Sequence, residues 1–354
     1  MSGSASSEAL APPETLAAGG HVRAPLADSP AGPWRQALRR LRRDRTSLGA
    51  CIVLLTILAA CMAAPLYASL VSRTDPFRSN LNGRIMIGGK RTSVMQPSTE
   101  GRGLGVTPIG PTWRGPYLLG ADTQGRDVAA RLLYGGRNSL LIASAATAIC
   151  LILAALLGVT AGFLGGGVDM VLSRILDVLW AFPVYLLAIS LSIVLISKAI
   201  VIGPITIGSG SLILPIVIIG LIYVPYVARP VRGQVLALRN SEFVLASVGL
   251  GMPTWRILLR DILPNVSTTL IVYIPLMMAL NITTESALSF LSVGVQSPDA
   301  SWGTIILDGQ ALLYTRPAVS LAPGIAIVIT VLALNLLGDS VRDALDPRAR
   351  RQRR

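Results

Sequence analysis

Six stretches of the chain contain no charged residue over 20 or more positions, and they constrain its fold more than any other feature. A bilayer core about 30 Å thick is crossed by about 20 apolar residues in an α-helix. These stretches therefore predict an all-α, polytopic membrane protein with six transmembrane helices. The six charge-free intervals are 46–72, 138–168, 178–197, 199–228, 262–284 and 317–338.

The low content of charged residues agrees with a membrane protein. Charged residues make up 14% of the chain, whereas soluble domains carry about 25%. The net charge is +13, and 19 of the 31 lysines and arginines fall in segments that face the cytoplasm if the amino terminus is inside. The positive-inside rule therefore predicts a multi-pass protein of the cell (inner) membrane with both termini in the cytoplasm.

The clusters of basic residues identify lipid as an expected partner. Arginines concentrate at 39–43 and 348–351, beside predicted membrane helices, where basic side chains attract anionic membrane lipids. No basic patch is interleaved with aromatic residues, so nucleic acid is not an expected partner.

Composition divides the chain into segments. The first 33 residues are rich in Ala, Gly, Pro and Ser, a composition that does not form a core. The first membrane helix is interpreted as an uncleaved anchor. The predicted segments are a disordered cytoplasmic tail at 1–33, an interfacial amphipathic helix at 34–47, the first transmembrane helix at 48–72, an outer loop with an interfacial helix at 73–136, a five-helix core at 137–338 that includes a cytoplasmic loop at 241–266, and a basic cytoplasmic tail at 339–354.

The sequence offers no catalytic residues, no metal site and no cofactor site. Its three cysteines lie in predicted membrane helices, and its one histidine, His21, lies in the tail. The segment 83–93 resembles a phosphate-binding loop only superficially, because Arg84 and Arg91 occupy positions where Gly and Ser/Thr are required. The chain is therefore not expected to be an enzyme or to bind ATP by that route.

The segment 241–266, SEFVLASVGLGMPTWRILLRDILPNV, is studded with polar residues and lies between two long apolar runs. Gly251 permits a bend that a side chain would hinder, and Pro253 suits the first turn of a second helix. Phe243 and Leu245 are expected to be exposed, and Trp255, Ile257 and Leu258 are expected to form an apolar patch. We interpret the segment as a bent helical pair that presents a surface to a partner. An interfacial helix lying on lipid remains the alternative.

The same segment resembles the coupling (EAA) loop of permeases from ATP-binding-cassette (ABC) importers. Ala246 stands at the first alanine of the family pattern, Gly251 at its glycine, and 263–264 at its Leu-Pro ending. Leu245 replaces the usual glutamate, and Ser247 replaces the second alanine. The resemblance implies that the ATPase-coupling residues are Glu242, Leu245, Ala246, Ser247, Gly251, Leu263 and Pro264.

Further stretches resemble the dipeptide, oligopeptide and nickel branch of these permeases, in particular its C-type subunit. They are 118–141, 177–189, 285–303 and 323–348. Gln124 departs from the commoner leucine. The resemblance implies a type I ABC importer permease fold and a transport subunit that forms half of a path for di- and oligopeptides. It also implies a second permease, two ATP-binding subunits that carry the ATP and Mg, and an external substrate-binding protein.

Polar residues in the fifth span are candidates for the translocation path, because polar groups in membrane helices are generally functional. These candidates are Asn281, Thr284 and Glu285. Two alternatives remain open: Asn281 could hydrogen-bond a neighbouring helix, and Glu285 could cap or pair at the interface.

The substrate and the energy source also have alternatives. Nickel chelates or other small solutes could replace peptides. A gradient-driven carrier working alone is a second possibility, but such carriers usually have ionisable groups at mid-membrane and inverted repeats, and neither is apparent here. A membrane anchor or scaffold leaves the bent segment 241–266 unexplained.

Overall fold

The computed structural model describes residues 38–87, 89–98, 105–197, 200–202, 205–207 and 210–345. The tail predicted at 1–33 lies outside these residues. So do residues 34–37 of the predicted interfacial helix and residues 346–354 of the predicted basic tail.

The first membrane helix, α1 (Arg45–Met62), begins at a side-chain cap. The Asp44 carboxylate accepts hydrogen bonds from the backbone N–H groups of Thr46 and Ser47, at 3.2 and 3.1 Å. It also accepts the Ser340 hydroxyl at 2.8 Å, which joins the start of α1 to the end of the last helix. Side-chain hydrogen bonds from Thr46 and Ser340 lower the pKa of Asp44 to about 2. The helix predicted at 34–47 is thus interrupted, because a turn at 42–43 and this cap separate residues 38–41 from α1.

A small folded unit follows α1 on the segment predicted as an outer loop. After α2 (Ala64–Tyr67), the chain forms two antiparallel ribbons, β1 (Arg84–Ile87) with β2 (Lys90–Ser93), and β3 (Met95–Pro97) with β4 (Val106–Pro108). Their core consists of Val94, Ile109, Tyr117 and Ala121, all buried. A third ribbon joins β5 (Ile200–Ile202) to β6 (Ile205–Ile207). The expectation of an all-α protein holds for the membrane helices, but it missed these ribbons.

The rest of the described chain is helical. Helix α3 (Val128–Leu164) is capped by Asp127, whose carboxylate accepts the backbone N–H groups of Ala129 and Ala130. It continues for 37 residues, so the interfacial helix predicted before the second span is continuous with that span. The remaining helices are α3 (Val128–Leu164), α4 (Gly166–Ala181), α5 (Val184–Ser197), α6 (Ile213–Ile222), α7 (Val224–Arg239), α8 (Glu242–Gly249), α9 (Thr254–Ile257), α10 (Leu263–Phe290), α11 (Trp302–Gly309) and α12 (Ala318–Leu345).

Four helical stretches in the described residues are long and apolar enough to cross a membrane without a bend. They are α1, α3, the stretch from Thr254 through α10, and α12. Two further pairs pass the same test only as bent spans: α4 and α5 meet at 91°, and α6 and α7 meet at 41°. Counting each bent pair as one span gives the six predicted spans. The chain breaks completely between α4 and α5 at Phe182 and Pro183, because proline cannot continue a helix.

Helices α3 and α7 approach closely at Gly158, so Gly158→Ala is expected to destabilise the protein. An added Cβ would lie 2.8 Å from the Ala228 carbonyl oxygen and 2.7 Å from Val231 Cγ1, so the helices would have to separate. We expect a loss of about 1–3 kcal/mol, measured as a lower thermal unfolding midpoint in detergent.

Gly233→Ala on α7 is the matched control. An added Cβ there meets no atom within 4 Å, and alanine favours a helix by about 1 kcal/mol over glycine. The control should therefore unfold at the same or a higher temperature. Equal destabilisation by both substitutions would show that the close approach at Gly158 does not limit stability.

Candidate functional site

The segment 241–266 forms the bent helical pair expected from the sequence. Helix α8 ends at Gly249 with Leu250 as its C-cap, and the next residue, Gly251, has a φ of +71°, in the left-handed region that favours glycine. The backbone N–H of Gly251 donates to the Val248 carbonyl, and that of Met252 donates to the Ser247 carbonyl, at 2.9 and 3.1 Å. These two bonds form a Schellman motif that closes α8. Pro253 stands at the N-cap of α9, one position before its first turn.

Buried contacts fix this segment to one end of the helix bundle. Val244, Ile257 and Ile262 are almost completely buried and belong to the main apolar core. The Ser247 hydroxyl donates to Asp261 Oδ2 at 2.9 Å, which joins α8 to the turn that follows α9. The segment is therefore attached to the membrane helices on one side and free on the other.

The free side exposes a continuous set of apolar side chains, which we call the coupling surface. Leu250, at the tip of the bend, is 81% exposed, and Arg256 lies over the Trp255 ring at 5.4 Å. Exposed apolar patches of this kind mark interaction sites. The coupling surface consists of Phe243, Leu245, Val248, Leu250, Trp255 and Leu259. The predicted exposure of Phe243 and Leu245 is confirmed, whereas Ile257 was wrongly placed in the apolar patch, because it points into the core.

Some of the predicted coupling residues lie on the exposed side of this segment, and others lie on the side that packs against the membrane helices. Ser247 and Leu263 are half-buried, and Pro264 is exposed in the first turn of α10. The Leu-Pro ending at 263–264 does not end a helix, because the helix continues from Thr254 through a wider turn at Leu258–Ile262 into α10. The exposed members of the predicted set near the bend are Glu242, Leu245, Ala246 and Gly251.

The predicted path residues are buried between helices. The Asn281 amide donates to Thr147 Oγ1 on α3 at 2.9 Å, which confirms the alternative of a bond to a neighbouring helix. The Thr284 hydroxyl lies 2.7 Å from the Tyr223 hydroxyl. Asn281, Thr284 and Glu285 are all at most 1% exposed. Their role in the path stays a prediction, and it requires a state in which α10 separates from its neighbours.

Glu285 is surrounded by serine hydroxyls. Ser289 Oγ donates to Glu285 Oε1 at 2.7 Å. Ser289 in turn accepts the Val295 backbone N–H, and Ser139 accepts that of Trp302. The carboxylate thus links α10, α3 and the start of α11, and the alternative of capping or pairing at the interface stays a prediction. The serines that hydrogen-bond to it are Ser139, Ser286, Ser289 and Ser301.

A buried ionic cluster, which the sequence did not reveal, lies at the other end of α11. Arg126 Nε contacts Asp122 Oδ2 at 2.7 Å, and Asp308 Oδ2 accepts from both Arg126 and Arg131, at 2.7 and 2.8 Å. Arg131 also donates to the Pro76 carbonyl at 3.2 Å. The cluster joins the ribbon segment, α3 and α11.

Family models match two parts of the chain. The model described as the inner membrane component of binding-protein-dependent transport systems matches residues 154–351, more than half of the chain. The model described as the N-terminal transmembrane domain of oligopeptide transport permease C matches residues 32–82. Together they cover α1 and the helices from the end of α3 onward.

Curated relatives extend this similarity over nearly the whole chain. The dipeptide transport system permease protein DppC of Alkalihalophilus pseudofirmus is 33% identical over 89% of this chain and 90% of its own. The oligopeptide transport system permease protein OppC of Bacillus subtilis is 34% identical over 90% of both chains. An inward-facing structure of the methionine ABC transporter MetNI has a TM-score of 0.48 and 18% identity, covering 61% of this chain and 96% of the other. The chain belongs to the inner-membrane permeases of binding-protein-dependent ABC importers, with an amino-terminal region of the oligopeptide permease C type.

Proposed function

We propose that this chain forms half of a translocation path for di- and oligopeptides and couples it to cytoplasmic ATPases through the segment 241–266. The coupling surface carries this proposal, because it is an exposed apolar patch held firmly against the membrane helices. The names of the dipeptide and oligopeptide permeases to which the chain is similar support a peptide substrate.

The proposal assigns the chain to a complex of the inner membrane. A second permease completes the path, two ATP-binding subunits hold the ATP and Mg, and an external binding protein delivers the peptide. The chain itself binds no cofactor and performs no catalysis. The arginine distribution supports cytoplasmic positions for both termini, and the exposed arginines at 39–43 support contact with lipid head groups.

The proposed coupling contacts follow the geometry of the bend. Glu242, Leu245, Ala246 and Gly251 face the groove of an ATPase, and the Ser247 bond to Asp261 keeps the two arms together. Residues 263–264 form the first turn of α10, and this helix runs continuously toward Asn281, Thr284 and Glu285. A displacement of the ATPases would therefore reach the outer half of the span, as alternating access requires.

Gly251→Pro is expected to abolish co-purification of the ATPases and peptide-stimulated ATP hydrolysis. Proline fixes φ near −65° and has no N–H, whereas Gly251 has a φ of +71° and donates to Val248. Both measurements use the complex purified in detergent from the native host.

Gly251→Asn is the control, because asparagine tolerates the left-handed conformation. This variant should retain both the bound ATPases and peptide-stimulated ATP hydrolysis. Retention of ATPases by the proline variant would exclude the coupling role. A wild-type chain that purifies without ATPases would instead favour a stand-alone carrier.

Nickel chelates and other small solutes remain the second candidate for the substrate. Competition distinguishes these solutes from peptides. Excess unlabelled tripeptide should block uptake of a labelled peptide by the reconstituted complex, whereas excess nickel chelate should not.

A further inference from the structure

Helix α4 runs across its neighbour α7 rather than along it. Asp169 and Asp177 are eight residues apart on α4, which is about 12 Å of helix. Their partners on α7, Arg232 and Arg229, are only three residues apart, about 4.5 Å of helix. If the two helices were parallel, the partners would be as far apart as the carboxylates. Because the two ion pairs converge instead, α4 lies at a steep angle to α7.

The break after α4 leads to the same orientation. Helices α4 and α5 meet at 91°. Helix α5 runs along the bundle, because Leu187, Leu191 and Leu195, which are spaced by four residues, all pack against the main apolar core. Helix α4 is therefore nearly perpendicular to a helix that follows the direction of the bundle.

The end of the bundle at which α4 lies carries charges that flank the apolar spans. The Asp44 cap of α1 is hydrogen-bonded to the last turns of α12, and Arg342, in those turns, interacts electrostatically with Tyr273 of α10. Tyr273 contacts Tyr226 of α7, and Tyr226 contacts Trp180 of α4, at ring-centroid distances of 6.1 and 6.2 Å. Helix α4 is thus level with the start of α1 and the end of α12, where the chain crosses the boundary of the membrane.

The polar and apolar residues of α4 lie on opposite sides. Asp169, Ser173 and Asp177 follow one another at spacings of four, and Arg174, 81% exposed, extends this polar side. The apolar side begins at Leu176, which is buried in the core, and continues to a row of exposed residues spaced by three and four. The exposed row of α4 and its C-cap consists of Val168, Val171, Ile175, Val178 and Phe182.

The apolar side is wider than the seam that a single partner helix would need. A coiled-coil seam uses two positions per heptad, whereas Leu172 and Leu179 fill the space between the exposed row and the buried Leu176. A wide apolar side opposite a charged side is typical of helices that lie between lipid head groups and acyl chains. Exposed arginines such as Arg174 are attracted there by anionic head groups.

We propose that α4 lies in the plane of the membrane surface, with its exposed row bound to the acyl chains of one leaflet and Arg174 among the head groups. The two ion pairs attach this lipid-bound helix to α7, and α7 leads directly into the segment 241–266. The lipid contact therefore fixes the depth from which that segment starts. This assignment does not depend on the substrate.

Depth measurements on spin-labelled cysteines test the orientation of α4. Val171→Cys and Val178→Cys are labelled in the complete complex in proteoliposomes. Relative collision rates with oxygen and with a water-soluble nickel chelate then report the depth of each label. Both labels are expected at the same depth, about 5–10 Å into the boundary between head groups and acyl chains. The unsubstituted chain, with its three cysteines, gives the background signal.

Leu48→Cys and Leu55→Cys on α1 are the matched control pair. They are also exposed and seven residues apart, but α1 is long enough to cross the membrane without a bend, so the second label should be about 10 Å deeper than the first.

The same 10 Å difference between the two labels on α4 would show that α4 is part of a crossing span and would overturn the proposal. Labels on α4 that neither reagent reaches would also overturn it, because a partner protein would then cover the exposed row. If one of the α4 variants does not assemble, Ile175→Cys on the same row replaces it, and a crossing helix then requires a difference of about 5 Å.

Discussion

Asp308→Ala is expected to cause the largest loss of stability of any single substitution considered for this chain. It removes the carboxylate shared by Arg126 and Arg131, whose side chains are 1% and 2% exposed. Breaking a buried ion pair from one side leaves an uncompensated charge and destabilises by about 3–5 kcal/mol. Thermal unfolding in detergent, followed by loss of the monodisperse species, measures the effect.

Asp75→Ala is the matched control in the same segment between α2 and α3. Its pair with Arg78, at 3.6 Å, is exposed on both sides, and pairs of this kind contribute at most about 1 kcal/mol. The control should unfold close to the wild-type temperature. If the two variants lost equal stability, the cluster at Asp308 would not hold the outer segments together.

Leu250→Asp is expected to remove most ATPase binding without unfolding the chain. Leu250 is 81% exposed, so the substitution removes no core contact, but it places a charge at the tip of the coupling surface. A hot-spot residue at the centre of an interface contributes about 2 kcal/mol or more, and the tip of the coupling surface is expected to be one, so affinity should fall about thirtyfold. The measurement is the amount of ATPase that co-purifies at fixed protein concentration.

Leu313→Asp is the control at the opposite end of the molecule. Leu313 is also exposed, and it follows α11, far from the segment 241–266. This variant should retain its ATPases. Retention by the Leu250 variant as well would mean that the tip of the bend does not contact them.

The number of spans could be predicted from sequence because the thickness of the bilayer sets a length for each apolar run. The bends could not. A proline such as Pro183 kinks or breaks a helix, but it does not set the 91° angle between α4 and α5, at which Phe182 is extended. The ribbons at 84–108 were missed because strands of three or four residues have no clear period, and Tyr117, a distant residue, completes their core.

The candidate site divides in the same way. The bend at Gly251 could be predicted from the sequence, because it depends only on the conformation of one residue and on two backbone hydrogen bonds nearby. The direction in which Ile257 points is not local, because it depends on how the segment packs against the bundle. The partners of Glu285 and Asp308 were also invisible, since Ser139 and Arg126 are more than 140 residues away in the chain.

The anchoring of α11 has a mechanical consequence. Its first turn is bonded to the serines around Glu285, and its last turn is bonded to Arg126 and Arg131. A helix of eight residues held at both ends cannot absorb a push by moving alone. Any load applied to it passes into α3 through Ser139 and Arg131 and, through the serines around Glu285, into α10, which continues to the segment 241–266 at the other end of the bundle. A binding protein that contacts one side of the membrane and an ATPase that contacts the other would then act on opposite ends of one connected set of helices.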